Sequence, residues 1–570
     1  MCGICGFARK EWSKERSRET IARMCDLLRH RGPDDQGIFV DEHFALGHTR
    51  LSIIDLSAAG HQPMSLKNAP YWITYNGEIY NFPELKKELQ SRGMNFHTAT
   101  DTEVILKAYE MFGDDCVTHL NGMFAFAIWD ARQQKLLLAR DRLGKKPLFY
   151  YHKDETFIFA SEMKAILAVP GISNEIDYEA LNLYLHHNYI PAPWTIFKHI
   201  RKLREAHLLT LQNGSLYEPV PSLREKPYWQ LPAPEDIAYK NENDAADELD
   251  ALLTEAVRCR MISDVPLGAF LSGGIDSSAI VAMMAKINSE PVKTFTIDFA
   301  EAEFSEREDA EVVAKHCKTD HHMLRVKTDA IDLLPKLVWH FDEPFGDSSA
   351  IPTYYVSKMA REHVTVILSG DGGDELFAGY NSYLKKDEHE KFLRLPKRLR
   401  KAVFGKVAHA LPIQTPMRNF LLYVAEANKG DGADALGTYP YIKNDLITTD
   451  LREHFNGCNA FRLREQFLPQ TGIQDKLSRL QYLDAKRYLP GDILVKVDRM
   501  SMANSLETRA PLLDYRLVEF AFRLPVELKI NGTTTKYLLK KVLARYVPQE
   551  ILNKRKHGFA VPIKNWFQTT

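Results

Sequence analysis

Residues 266–287 read PLGAFLSGGIDSSAIVAMMAKI. An apolar run, Pro266–Leu271, leads into Ser272-Gly273-Gly274-Ile275-Asp276-Ser277-Ser278 and then into an apolar helical run, Ser278–Ile287. A strand, a glycine turn and a helix in that order let backbone N–H groups and the positive end of a helix face an anion, an arrangement suited to phosphate. No G-x-x-x-x-G-K-[ST] is present, so this is not a Walker loop. Taken alone, Ser-Gly-Gly is as often a plain turn as a site.

The neighbouring sequence repeats the pattern. Lys293–Phe299 precedes Arg307–His316, and Val364–Leu368 precedes a second turn, Ser369-Gly370-Asp371-Gly372-Gly373-Asp374-Glu375, and a further helix. Such alternation predicts a parallel α/β sheet, with both turns at carboxyl ends of strands, where open sheets bind ligands. Asp276 and Asp374 are then placed to share Mg²⁺ with phosphate oxygens. The plain alternative for Asp and Gly clustered in a loop is a solvated turn. Beyond Asn381 the sequence reads as largely helical, and its basic stretch Lys397–Lys406 reads as a solvated helix face.

Toward the N-terminus the texture differs. Short β-like runs (Tyr71–Tyr75, Phe124–Trp129, Lys135–Ala139, Phe157–Ala160) are broken by Gly, Pro and Asn. Two helical stretches stand among them: Glu19–His30, with Ile21, Met24, Cys25 and Leu28 on one face, and Glu103–Phe112. This predicts an α+β unit with antiparallel pairing. Between the halves, Pro219, Pro221, Pro227, Pro232 and Pro234 in a polar stretch read as an interdomain linker. The expected division is 2–216, a linker over 217–240, and 241–570.

Bulk properties agree with two soluble domains. The 570 residues exceed what one core of roughly 250–300 residues holds. A net charge of -1 gives no bulk reason to expect nucleic acid. No apolar run approaches the roughly 20 residues of a membrane span, and the N-terminus has no secretory h-region. Seven scattered cysteines, an odd number, read as reduced thiols, which points to the cytoplasm.

Cys2 follows the initiator directly. Removal of Met1 leaves Cys2 with a free α-amine of pKa roughly 7.7–8.0, a base able to activate its own thiol. Alone, Cys2–Cys5 is equally an unremarkable CxxC, although no second ligand pair for zinc stands nearby. The motifs that follow weigh more. They are His30-Arg31-Gly32-Pro33-Asp34, His48-Thr49-Arg50-Leu51-Ser52-Ile53-Ile54-Asp55, Gly60-His61-Gln62-Pro63-Met64, Tyr75-Asn76-Gly77-Glu78-Ile79-Tyr80-Asn81 and Thr100-Asp101-Thr102-Glu103. In the second half come SGGxDSS, SGDGGDE, Asp498-Arg499-Met500-Ser501-Met502-Ala503, Glu507–Asp514 and Lys554-Arg555-Lys556-His557-Gly558-Phe559. In this order, from Cys2 to about Phe567, they resemble the glutamine-hydrolysing asparagine synthetase family.

The resemblance implies an N-terminal αββα sandwich of the N-terminal-nucleophile hydrolase type. It implies a second domain of the adenine nucleotide α-hydrolase or PP-loop type, with a helical C-terminal part. It assigns Cys2 as nucleophile, and Asn76 (side chain) and Gly77 (backbone N–H) as the oxyanion hole, each donor worth roughly 3–4 kcal/mol. Asn-Gly alone would instead read as a hairpin turn. Arg50, whose planar fork suits a carboxylate, and Asp101, an anion for the ammonium, would hold glutamine, with Ile53, Ile54 and Glu78 lining the pocket. ATP would meet Leu271, Ser272, Gly273, Gly274, Asp276, Ser277, Ile297, Ser369 and Gly370. Mg²⁺ would sit on Asp276 and Asp374, Asp371 would serve aspartyl-adenylate formation, and Lys556 would be the catalytic lysine. Arg499 and Arg509 fit either substrate anions or structural ion pairs.

The implied substrates are glutamine, ATP and aspartate, in a chain that assembles as a homodimer. The same motifs serve a sugar acid or cell-wall precursor acid as acceptor, or a glutamine or nucleotide sensor. Two departures from the family pattern stand out. Lys202-Leu203-Arg204-Glu205-Ala206-His207 lacks the usual Pro-Gly, and a further helical tail is expected beyond Thr570.

Overall fold

The structure is a computed structural model. It describes all residues except 10–11, 43, 67–68, 154–155, 213–222, 234–238, 240, 300, 302–304, 327–331, 385–389, 413–414, 427–446, 456–465, 469–472 and 555–570. Lys556 lies outside the described residues.

Two six-stranded antiparallel sheets build the N-terminal half. The first runs in the order Ile200–Lys202, Phe149–Lys153, Thr156–Ala160, Gly3–Ala8, Phe44–Arg50, Asp35–Val40. The second runs Arg224–Pro227, His207–Gln212, Lys135–Arg140, Gly122–Asp130, Tyr71–Ile79, Met64–Ser65. The period of two sorts their side chains into layers. In Gly122–Asp130, Ala125, Ala127 and Trp129 face the other sheet, while Phe124, Phe126 and Ile128 pack under helices Phe82–Ser91 and Asp101–Phe112. In Gly3–Ala8, Ile4 and Ala8 face inward, while Cys5 and Phe7 pack against helix Lys14–Leu28. Helices, sheet, sheet and helices are the four expected layers. Strands buried on both faces explain the near-continuous apolar runs.

The Asn-Gly pair lies inside strand Tyr71–Ile79, not in a turn, with Gly77 opposite Phe124. A Cβ on Gly77 would come within 2.2 Å of the Met123 carbonyl oxygen. Arg224–Pro227 extends the second sheet, so part of the expected linker belongs to the sandwich.

The second half centres on a five-stranded parallel sheet. Its order is Asp320–Arg325, Lys293–Asp298, Leu267–Phe270, Val366–Leu368, Glu507–Arg509. From the central strand the chain first moves to one side and later to the other. The strand order therefore reverses between Leu267–Phe270 and Val366–Leu368, where both glycine-rich turns emerge. Most of the remaining described residues from 373 to 552 outside this sheet are helical. In the basic stretch, Lys397, Arg398 and Lys401 are exposed as expected, but Arg400 is buried, its guanidinium on the carbonyls of Leu395 and Val424.

The halves meet over buried charge. Arg31 on the sandwich side donates two hydrogen bonds to Asp498 (2.9 and 3.0 Å) and one to Glu162 (2.8 Å). Arg499 pairs with Glu162 at 2.7 Å, and Arg509 pairs with Glu507 at 2.7 Å and with Glu78 at 3.1 Å. These two arginines hold structural ion pairs.

Candidate functional site

Cys2 sits at the start of the central strand of the first sheet, 8% exposed. Its backbone N–H donates to Asn76 Oδ1 (3.0 Å), and its carbonyl accepts from Arg31 Nε (3.1 Å). Asn76 is fully buried, and its Nδ2 has no hydrogen-bond partner among the described residues. A buried amide donor without a partner costs free energy unless a ligand satisfies it. The same amide accepts the Cys2 N–H through its Oδ1, which places it next to the thiol-bearing residue. Burial pushes the Cys2 thiol up, while the terminal ammonium, the Leu51 N–H and Arg50 pull it down. The Met1 ammonium rests on Glu507 Oε2 (3.2 Å), both buried.

The Arg50 guanidinium donates to the carbonyls of Ser57 (2.9 Å), Asp55 (2.5 Å) and Ile54 (3.4 Å), with no carboxylate at ion-pair distance among the described residues. Gly60 gives it room, since a Cβ there would collide with the guanidinium. Asp101 opens helix Asp101–Phe112. Its Oδ2 accepts from Tyr75 Oη (2.7 Å) and the Ile79 N–H (3.0 Å), yet no cation pairs with it among the described residues. Burial raises its carboxyl to about 6 against those hydrogen bonds. Arg50 and Asp101 are thus one cation and one anion, each without an opposite-charge partner among the described residues. Ile53 is buried in the core that also holds Met1 and Leu51, and Ile54 packs against it. Glu78, expected along the pocket, has its carboxylate on Arg509 at the seam.

In the second half the two turns interlock. Gly273 has φ +70, and a Cβ there would sit 2.4 Å from the Asp309 Cβ. Ser272 Oγ and Ser277 Oγ are 3.0 Å apart, and Ser277 Oγ donates to the Gly274 carbonyl (3.1 Å), fixing the first turn of helix Ile275–Ile287. Gly370 packs on Ser277, and Gly373 on the Asp276 carboxylate. Leu271 and Ile297 are buried at adjacent strand ends. Ser369 Oγ donates to Asp371 Oδ2 (2.7 Å), and burial raises the Asp371 carboxyl.

Asp276 and Asp374 are brought together by Lys536, whose buried ammonium bridges them, 2.7 Å from Asp374 Oδ1. Two carboxylates converging on one cation form a donor set that fits magnesium shared with phosphate oxygens. Among the described residues no cluster of three metal-ligating side chains exists. Sequence reasoning missed Lys536. Its signal is the turn Asn531-Gly532-Thr533-Thr534-Thr535-Lys536, which holds Lys536 at φ +53. It also missed Glu507 as the partner of the N-terminus.

A four-layer sandwich that buries a near-terminal thiol against an unsatisfied amide, joined to a parallel sheet with two phosphate-type turns, defines an ATP-dependent amidotransferase. More specifically, the chain belongs to the asparagine synthase family: that family's sequence pattern matches residues 248–570, and that of the glutamine amidotransferase domain matches 1–229. It is 37% identical to asparagine synthetase [glutamine-hydrolyzing] 1 of Bacillus subtilis, over 100% of this chain and 88% of that protein. It is equally 37% identical to a putative asparagine synthetase of Mycobacterium tuberculosis, with the same coverage. An amidase of Penicillium rubens is 29% identical over 99% of this chain and 89% of that one. The protein is a glutamine-hydrolysing carbon–nitrogen ligase.

Proposed function

We propose that the acceptor is aspartate and the product asparagine, formed through aspartyl-AMP. The aspartate side-chain carboxylate attacks the ATP α-phosphorus and pyrophosphate leaves. Cys2 Sγ attacks the glutamine amide carbon, its proton passing to the Cys2 α-amine once Met1 is removed. Asn76 Nδ2 and the Gly77 N–H stabilise the oxyanion, ammonia departs, and water releases glutamate from the thioester. Ammonia then displaces AMP. Arg50 and Asp101 orient glutamine by its carboxylate and ammonium, with Ile53 and Ile54 alongside.

Ser272, Gly273, Gly274, Ser277, Ser369 and Gly370 would receive ATP phosphates, and Leu271 and Ile297 the nucleoside. Asp276 and Asp374 would hold Mg²⁺, which supplies charge for the leaving pyrophosphate. Lys536 is a cation at the same place, alongside the family assignment of Lys556. One observation carries the reading: Arg31 hydrogen-bonds the Cys2 carbonyl and Asp498 of the synthetase half at once.

Ammonia passing through the interior is part of the proposal, supported by one apolar core running from Met1, Leu51, Ile53, Tyr80, Met123 and Leu143 into the synthetase half. Isotope dilution tests it: label from external ammonium entering product freely during glutamine turnover overturns the passage. No helix among the described residues is long and apolar enough to cross a membrane. Free thiols support a cytoplasmic setting. A homodimer belongs to the same proposal, and light scattering tests it. For the acceptor, pyrophosphate release is measured with aspartate against other acids, and no release with aspartate overturns the assignment.

A further inference from the structure

The loop that follows Arg50 has little to pack on. Leu56 is 54% exposed, and Ser57, Ala58 and Ala59 beside it are exposed as well. Such a segment belongs to the low-stability end of a fold, and hydrogen bonds must give it its shape. They converge on Asp55, which holds φ +53, a conformation that costs an L-residue free energy. Its carbonyl accepts from Arg50 Nη2 (2.5 Å). Its Oδ1 accepts from the Ser57 N–H (3.2 Å) and Oγ (2.5 Å), and its Oδ2 accepts from the Ala99 N–H (3.1 Å), just ahead of Asp101. Asp55 therefore sets the guanidinium and the entry to helix Asp101–Phe112 together. Its own N–H crosses to the other half and donates to Asp264 Oδ2 (2.8 Å), and the Asp264 N–H donates back to the Ile53 carbonyl (3.0 Å). Asp264 stands on a fixed connector between helix Glu242–Arg260 and strand Leu267–Phe270. Buried Arg509 donates to the carbonyls of Arg260 (2.8 Å) and Ile262 (2.6 Å), Ser263 Oγ donates to the Val265 carbonyl (2.8 Å), and the Pro266 carbonyl accepts from the Thr365 N–H (3.0 Å).

We propose that Asp264 is a positioning residue for glutamine: the synthetase half holds the glutamine loop in its binding shape through the contact between Asp264 and Asp55. The inference rests on the reading above that Arg50 and Asp101 hold glutamine, and deepens it by naming what holds them from across the seam. Without the Asp264 carboxylate the Asp55 N–H turns to water, and the strained φ has no partner to maintain it. The Asp55 carbonyl then leaves the guanidinium, and its Oδ2 leaves Ala99. The nucleophile is held elsewhere. Cys2 is tied to Asn76 and Arg31, and the start of the loop is tied within its own half, by the Ser52 N–H on Asp34 Oδ2 (2.7 Å). The effect therefore falls on glutamine binding and spares the attack by sulfur. Asp264 is itself exposed, so its loss leaves no cavity or unpaired charge inside the protein.

The test uses the full chain and two assays. One is glutamate release from glutamine; the other is pyrophosphate release with ATP, magnesium, ammonium chloride and the acid that wild type turns over. Asp264→Ala is expected to raise the glutamine KM about tenfold, with kcat for glutamate release within about threefold, because the lost hydrogen bond is charge-assisted. Ammonia-dependent pyrophosphate release should stay within about twofold of wild type. Asp264→Asn, whose amide oxygen still accepts the Asp55 N–H, should keep the glutamine KM within about threefold. Should the alanine variant not fold, Asp264→Ser, whose hydroxyl is too short to reach, takes its place. Arg50→Met controls for the reading itself and should raise the glutamine KM beyond either Asp264 variant. A glutamine KM that moves with Arg50 but by less than about twofold in Asp264→Ala overturns the proposal and leaves the reading standing, and one that moves with neither overturns both. Equal losses in the alanine and asparagine variants, or pyrophosphate release that falls together with glutamate release, would make Asp264 a structural residue only and sink the proposal.

Discussion

The two reaction centres keep their charges in opposite states. In the sandwich half, Arg50 lies on backbone carbonyls, Asp101 on a tyrosine and an amide, and Asn76 Nδ2 on nothing, all among the described residues. Around the glycine-rich turns Asp276 and Asp374 are already paired, both by Lys536. At the first centre no ion pair has to be broken before a ligand meets Arg50 or Asp101. At the second, a ligand that takes Asp276 or Asp374 must displace the Lys536 ion pairs, so binding there carries a rearrangement. Glutamine hydrolysis and adenylation should therefore separate cleanly under mutation.

The largest effect should come from Cys2→Ala. Glutamine-dependent synthesis is expected to fall by at least about 10⁴-fold while ammonia-dependent synthesis persists, both read as amide product formed. Loss of both would show that the centres are not separable. A chain that retains Met1 should behave in the same way, because the amine is then on Glu507 and not on the nucleophile. The mirror experiment is Lys536→Met. Pyrophosphate release should drop about 100-fold with glutaminase activity retained, and an equal loss of glutaminase activity would break the comparison.

Arg31 joins the centres. Arg31→Met strips Asp498 of its hydrogen-bonded cation inside the seam, which should cost about 3–5 kcal/mol in unfolding free energy. A variant that unfolds within 1 kcal/mol of wild type, a bound set well below that principle's range, would mean that water reaches Asp498.

A smaller effect is set by pH. Asp101 has its carboxyl raised to about 6 in the fold, against an ordinary value of 3.8. A raised carboxyl favours the fold while protonated, so its contribution is fully present below 3.8 and is lost as pH rises through 6. Glutamine needs the carboxylate, so its KM should fall as pH rises toward and through 6 and level off above. Asp101→Asn should flatten that profile and gain stability relative to wild type at pH 8 over pH 4. A wild-type glutamine KM that is flat from pH 5 to 8 would remove Asp101 from the ammonium.

How much of this the sequence showed depends on the range of each interaction. Strand, turn and helix at 266–287 were readable because period and glycine placement are local, and the strand alternation carried the parallel sheet. The interior position of Asn-Gly was not readable, because a two-residue turn signal is also local and only pairing with Gly122–Asp130 overrides it. Glu507 against the N-terminus, and Lys536 between Asp276 and Asp374, join residues hundreds of positions apart, and no window of sequence contains such pairs.

One local departure did carry a structural meaning. The position where the family pattern has Pro-Gly ends in Ala206, which the structure holds buried at φ +58. Its N–H donates to the Asp141 carbonyl and its carbonyl accepts from the Tyr228 N–H, both at 2.9 Å, so neither neighbour lets it relax. An L-residue with a Cβ in the left-handed region costs about 1–2 kcal/mol. Glycine removes that strain but returns about 0.4–1 kcal/mol through a freer unfolded chain. Ala206→Gly should therefore stabilise by no more than about 1.6 kcal/mol, seen as a rise of a few degrees or less in Tm with both activities unchanged. A fall in Tm would mean that the backbone at 206 is set by its hydrogen bonds without strain, and that the departure from Pro-Gly is neutral.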